Sequence, residues 1–102
     1  MGSKSYNKGY RFEIRVRKKL ESLGYTVFRQ GKSAFPDLIC LKRGREPMLV
    51  ECKVNRRDLS SEELERLIAL HLNLSPVKVY IASRRNHHII FENARNGAET
   101  EL

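Results

Sequence analysis

Two short apolar segments, residues 37–42 and 48–54, are joined by the turn-rich Arg43-Gly44-Arg45-Glu46-Pro47. Segments of this length with a five-residue connection read as an antiparallel hairpin. Each carries charge where a core strand should not. Asp37 opens the first, after Pro36. Glu51 and Lys53 lie within the second, just past Met48-Leu49-Val50. An unpaired carboxylate or ammonium is costly to bury, so any fold that pairs these strands must bring the three groups together at one end of a sheet. Glu51 and Lys53 are two apart and share a face. With the turn centred near Arg45, Asp37 comes opposite Lys53, with Glu51 close by, and a slip of two residues keeps the three together.

The rest of the chain supplies partners for this hairpin. From about Tyr6 or Asn7 to Ser22, Phe12, Val16, Leu20 and Leu23 recur at helical spacing, and Gly24 is a fitting stop. Glu13 falls on the rim of that apolar stripe. Tyr25-Thr26-Val27-Phe28-Arg29 reads as a strand, and residues 30–36 as a loop. Ser60 and Glu63 have the spacing of a capping box, and the helix they open carries Leu64, Leu67, Ile68, Leu70, His71, Leu72 and Leu74 before Pro76. These residues span an arc of roughly 200°, at 100° per residue, wider than one packing face needs. The surplus suits a partner subunit. Residues 77–82 alternate as a strand, Arg84-Arg85-Asn86 reads as a turn, His88–Phe91 as a short last strand, and the tail from Asn93 as polar and frayed. The order α-β-β-β-α-β(-β) predicts a single α/β domain over residues 1–102, a central mixed sheet flanked by helices, with 1–5 and 94–102 flexible.

Composition narrows the function. The chain has 102 residues and a formal charge of +8. Residues 1–57 hold 15 Lys/Arg against 5 Asp/Glu, while residues 58–102 hold 5 against 7. The suspicious acids thus lie in the basic half, an arrangement that suits a phosphate polymer, although charged surfaces also occur for other reasons. No apolar run approaches the roughly 20 residues of a membrane span, and no secretory pattern is seen, so a cytoplasmic protein, nucleoid-associated when on DNA, is expected. Cys40 and Cys52 point away from the acids and have no metal-ligand spacing, which suits buried thiols in a reducing compartment.

Two carboxylates on neighbouring strands repel unless one takes a proton or both share a cation. Hard divalent cations take oxygen ligands, and a cation beside a lysine can activate water and stabilise charge on phosphorus. Glu13 could complete the set from the first helix. Plainer readings remain: Glu51 and Lys53 as a cross-strand ion pair, and Glu13 paired with Arg17 at i+4. Gly31-Lys32-Ser33 lacks the preceding glycine and the following helix of a P-loop, and the adjacent His87-His88 has no ligand spacing.

Pro-Asp, thirteen residues, then Glu-Cys-Lys, behind a helix bearing a glutamate, resembles the PD-(D/E)XK, restriction-endonuclease-like nucleases. Lys8-Gly9 through Glu13, Leu20, Gly24-Tyr25, Val27, Arg29, Ser33, Asp37 and Glu51-Cys52-Lys53 are similar to the archaeal Holliday junction resolvases. The resemblance covers roughly residues 6–83. It implies an active site of Glu13, Ser33, Asp37, Glu51 and Lys53, with Mg²⁺ held by Glu13, Asp37 and Glu51 and Mn²⁺ able to substitute. It implies DNA contacts by Arg29, to which the basic residues Lys8, Arg15, Lys32, Arg56 and Arg57 and the backbone at Gly9 are natural additions. It further implies a homodimer with Leu70 and Leu74 at the contact, acting on four-way junctions without a small-molecule cofactor or a membrane. Another DNA structure, such as a flap, mismatch or plain duplex, or non-catalytic DNA binding, is the alternative. Where the family often has arginine after the first-helix glutamate, this chain has Ile14, and its connection from Lys53 to the second helix is short.

Overall fold

A computed structural model describes the backbone of residues 3–31 and 35–102, with side chains from Lys8 onward. The first helix, α1 (Ser3–Ser22), seals its C-terminal end with Gly24 in the left-handed region at φ 97°, a conformation glycine adopts without steric cost. The Lys42 ammonium donates to the Leu23 carbonyl at 2.6 Å and lies 5.3 Å from the Tyr25 ring centroid, tying the helix exit to the sheet.

Six strands form one sheet in chain order: β1 (Thr26–Arg29), β2 (Leu38–Leu41), β3 (Met48–Cys52), β4 (Lys78–Arg85), β5 (His88–Asn93) and β6 (Glu99–Thr100). Only β3 and β4 are parallel, and the long connection between them carries a 3₁₀ turn (Arg56–Asp58) and the helix α2 (Ser61–Asn73). A parallel pair needs such a crossover, whereas the antiparallel pairs close through short loops. The mixed α/β sheet predicted from sequence is the one observed.

The period-two pattern sorts the strand residues. Leu38, Cys40, Met48, Val50, Tyr80, Ala82 and Phe91 pack with Phe12, Val16 and Leu20 of α1. Val79 and Ile81 face the other way and pack with Leu59 and Leu67, with Leu49, Leu64 and Leu70 beside them, under α2. Glu51 and Lys53, in phase with Leu49, belong to the α2 side. Leu67 is fully buried, and burial of a side chain of that size contributes about 2 kcal/mol.

Four expectations change. The hairpin register is Leu38↔Val50 and Cys40↔Met48, which brings Asp37 opposite Glu51 and centres the turn on Gly44, at φ 78°. The glycine, not Arg45, supplies the positive φ the turn requires. Arg84 and Arg85 are in β4, and the turn is Asn86-His87, both left-handed at φ 49° and 67°, as a two-residue hairpin loop demands. The tail from Asn93 is not frayed: it turns at Gly97, pairs as β6 on β5, links Glu99 to Arg85 and packs Leu102 on the α1-side core. Of the N-terminal residues expected to be flexible, 3–5 belong to α1 and Met1 and Gly2 lie outside the described residues.

Candidate active site

Beyond Leu38↔Val50, side chains take over the β2–β3 ladder. The Asp37 backbone N–H donates to Glu51 Oε1 at 3.1 Å, and the Cys52 N–H donates to Asp37 Oδ2 at 2.9 Å. Each carboxylate thus satisfies a backbone donor of the opposite strand, which would otherwise be orphaned where the strands part. The described hydrogen bonds use one oxygen of each acid. On its other edge β3 stays paired: Lys53 N–H donates to the Ala82 carbonyl at 2.9 Å. Lys53 is therefore fixed at its backbone, and its ammonium reaches Glu51 Oε2 at 4.0 Å and Glu63 Oε2 at 3.1 Å.

Burial governs the electrostatics. Glu51 is only 4% exposed. Desolvation first, then the neighbouring Asp37 charge, pushes its carboxyl up to about 8, against the pull of Lys53. A cation beside a carboxyl so placed would ease its ionisation. The Cys52 thiol is pushed well up by burial first, then by the charges of Asp37, Glu13 and Glu51. The thiol thus lies within electrostatic reach of all three predicted acids. Glu63, by contrast, is held below the usual carboxylate range, first by the Ser60 backbone N–H and then by Lys53.

Glu13 is buried on the α1 side, where its carboxylate pairs with the Arg29 guanidinium. Arg29 also lies over the Tyr10 ring, 5.1 Å from its centroid. The structure therefore brings Asp37, Glu51 and Lys53 into one cluster, while Glu13 is held in an ion pair with Arg29 on the α1 face and, among the described residues, is linked to that cluster only through its electrostatic effect on Cys52. Among the described residues no three His, Cys, Asp or Glu side chains are gathered as a metal-holding group. Two hard carboxylate donors still fit Mg²⁺, which commonly takes one or two protein carboxylates and completes its shell with water and phosphate.

The basic candidates divide. Lys8 and Gly9 are exposed on the first half of α1, and Arg57 is exposed in the 3₁₀ turn that follows β3. Arg15 donates to the His87 carbonyl at 2.9 Å, bridging α1 to the β4–β5 turn. Arg56 forms a two-point pair with Glu92 at 2.8 and 3.2 Å. Lys32 and Ser33 lie outside the described residues. Leu70 packs against the α2-side core, while Leu74 and Leu72 remain 43% and 56% exposed.

Sequence reasoning missed two neighbours of the site. Glu63 was legible as a capping residue, but nothing in its spacing indicated that its second oxygen meets Lys53. Arg66 lies over the Phe35 ring, 4.3 Å from its centroid, two residues before Asp37. No sequence pattern signalled that stack.

Comparison with known proteins gives a consistent result. The model of a family described as archaeal Holliday junction resolvase (Hjc) matches residues 4–101. A curated relative, the crossover junction endodeoxyribonuclease Hjc of Methanocaldococcus jannaschii, is 32% identical over 91 residues, covering 86% of this chain and 67% of that protein. The solved structure of Archaeoglobus fulgidus Hjc, a Holliday junction resolvase from an archaeal hyperthermophile, superposes with a TM-score of 0.68 at 22% identity. It covers 86% of this chain and 74% of that one, a likeness that bears on the fold.

Proposed function

Since the chain belongs to the archaeal Holliday junction resolvase family, we propose that it cuts four-way DNA junctions by metal-dependent phosphodiester hydrolysis. The observation that carries this reading is the buried Asp37–Glu51 pair with Lys53 beside it, at the point where β2 and β3 part. Left alone, the pair is strained by burial and like charge; a divalent cation relieves both.

In this reading Asp37 and Glu51 hold the metal, Mg²⁺ with Mn²⁺ as a substitute, and Glu13 joins them by exchanging Arg29 for the cation. The cation supplies charge stabilisation at the scissile phosphate and a more acidic attacking water. The chain's own residues do the rest. The Asp37 and Cys52 backbone donors fix the two carboxylates before substrate arrives, so little reorganisation is needed at the moment of reaction. Lys53 directs its ammonium at a phosphate oxygen or orients the water. Ser33 adds a hydroxyl to the phosphate.

Lys8, Gly9 and Arg57 contact the DNA backbone from exposed positions, Arg15, Arg29 and Arg56 do so by exchanging their present partners for phosphate, and Lys32 adds a further cation. Such contacts give affinity and orientation, and junction shape gives selectivity. Two copies joined through α2, with Leu70 and Leu74 at the contact, provide two symmetric sites for the two strands to be cut. The protein works in the cytoplasm, on nucleoid DNA. Among the described residues no helix is long and apolar enough to cross a membrane.

The test is incubation of a labelled four-way junction and a linear duplex of the same sequence, with Mg²⁺ or EDTA. Cleavage of the junction alone, with Mg²⁺ alone, is expected. Asp37→Asn should bind the junction and leave it intact. Parental cleavage by that variant would overturn the site, and equal cleavage of the duplex would overturn the substrate.

A further inference from the structure

The Lys53 ammonium is held more closely by α2 than by its own strand neighbour. Glu63 Oε2 lies 3.1 Å from Nζ, whereas Glu51 Oε2 lies 4.0 Å away. Glu63 is itself pinned twice: its Oε1 accepts from the Ser60 N–H at 3.0 Å, and its own N–H donates to Ser60 Oγ at 3.1 Å. A capping box normally employs one carboxylate oxygen and leaves the other to solvent. Here that second oxygen reaches across to β3. The helix N-terminus favours the negative charge of Glu63, and Lys53 is only 26% exposed at its side chain, so the contact is shielded from full solvent screening.

We propose that Glu63 is the positioning residue of the active-site lysine: its second carboxylate oxygen, oriented by the Ser60 backbone N–H on the first, sets where the Lys53 ammonium stands. This rests on the nuclease reading above. Its physical content is a division of labour. Once Glu51 is committed to a cation, its charge no longer anchors the lysine. Glu63, fixed by backbone bonds independent of the cation, then keeps the ammonium from swinging into solvent or collapsing onto the carboxylate pair. A flexible four-carbon side chain thereby acquires a defined end point, and misplacement on the scale of an ångström is enough to cost much of a rate.

Glu63→Gln tests this cleanly. The amide oxygen can still accept from the Ser60 N–H, so the helix cap survives, but the amide nitrogen then faces Lys53 and offers no acceptor. The expected result is a single-turnover cleavage rate reduced roughly 10- to 100-fold. Junction affinity should stay within about twofold and the melting temperature near the parental value. Ser60→Ala is the converse: it removes the cap hydroxyl and lowers stability, yet leaves Glu63 on Lys53 and should keep the cleavage rate. In metal-free protein, the ¹⁵N-detected ammonium signal of Lys53, slow to exchange while anchored, should broaden in Glu63→Gln and persist in Ser60→Ala. A parental rate and an unchanged Lys53 signal in Glu63→Gln would overturn the proposal, as would equal rate losses in both variants. Asp37→Asn run alongside separates the two levels: if it cuts at the parental rate the nuclease site itself is wrong, and if it is inactive while Glu63→Gln is parental, only the positioning role fails.

Discussion

Replacing Glu51 with glutamine should stabilise the metal-free protein, and by more as the pH rises. Burial first, then the Asp37 charge, pushes the folded carboxyl up to about 8 from an ordinary value of 4.5. Burial favours the protonated form, so the folded state binds this proton more tightly than the unfolded chain does. Below about pH 4.5 both states hold it and the residue costs nothing. As pH rises the unfolded chain releases the proton first, and stability falls until the folded carboxyl also ionises near pH 8. At roughly 1.4 kcal/mol per unit, the accumulated penalty is about 1 kcal/mol at pH 5 and about 4 kcal/mol at pH 8. The amide of the Glu51→Gln variant never ionises, and its oxygen can still accept from the Asp37 N–H that Glu51 Oε1 now takes at 3.1 Å. Lys53 keeps Glu63, so no cation is orphaned.

Urea denaturation of parental and Glu51→Gln protein in EDTA, at half-unit steps from pH 5 to 8.5, reads the difference directly. The variant should be more stable throughout, and the gap should widen about fourfold across the range. Adding Mg²⁺ at pH 8 should narrow it by stabilising the parental protein selectively, because binding to the folded state adds to stability. A gap that does not change with pH, or a parental protein that is the more stable at pH 8, would refute the claim that burial holds this carboxyl up.

Other expectations are simpler. Leu74→Asp should leave the monomer folded, since the side chain is 43% exposed, and should weaken self-association by at least tenfold in sedimentation equilibrium. Leu67→Ala, at a fully buried position, should cost about 2–5 kcal/mol in chemical denaturation. Arg57→Ala should weaken junction binding and reduce the salt-dependence slope by about 1. Arg56→Ala should instead lower stability first, because Glu92 loses a two-point partner.

That Asp37, Glu51 and Lys53 gather in one place was readable in the sequence because burying charge is expensive: they interrupt apolar runs, and that contradiction survives any uncertainty in register. The register itself was misjudged by two residues because loop length alone does not say which residue takes positive φ, and Gly44 does. The α1 stripe and the Ser60–Glu63 cap were equally legible, being local patterns of fixed period. β6 was not. It is two residues long, without alternation, and is held through backbone bonds such as Asn93 N–H to the Ala98 carbonyl at 2.8 Å, which leave no mark on side-chain choice. The ion pair of Glu13 with Arg29 was also hidden, since helical spacing pointed to Arg17 and the true partner is sixteen positions away on a strand.

The same distinction explains why the residues proposed to contact DNA are harder to read than the acids. Net charge counts every cation alike, but the fold employs many of them internally. Arg15 is tied to the His87 carbonyl, Arg29 to Glu13, Lys42 to the Leu23 carbonyl, Lys53 to Glu63 and Arg56 to Glu92. Each of these ties a loop, turn or helix to the sheet, Lys53 at the cluster itself and Lys42 at the far end of β2. A surface arginine costs little to leave in water, so its presence carries almost no information about its partner, whereas a buried carboxylate must have one. On the proposed reading the basic half of the chain does two jobs: some cations tie helices and loops to the sheet, and exposed ones such as Lys8 and Arg57 meet the polyanion. Charge supplies the attraction in both, and the geometry of the β2–β3 opening decides where that attraction is directed.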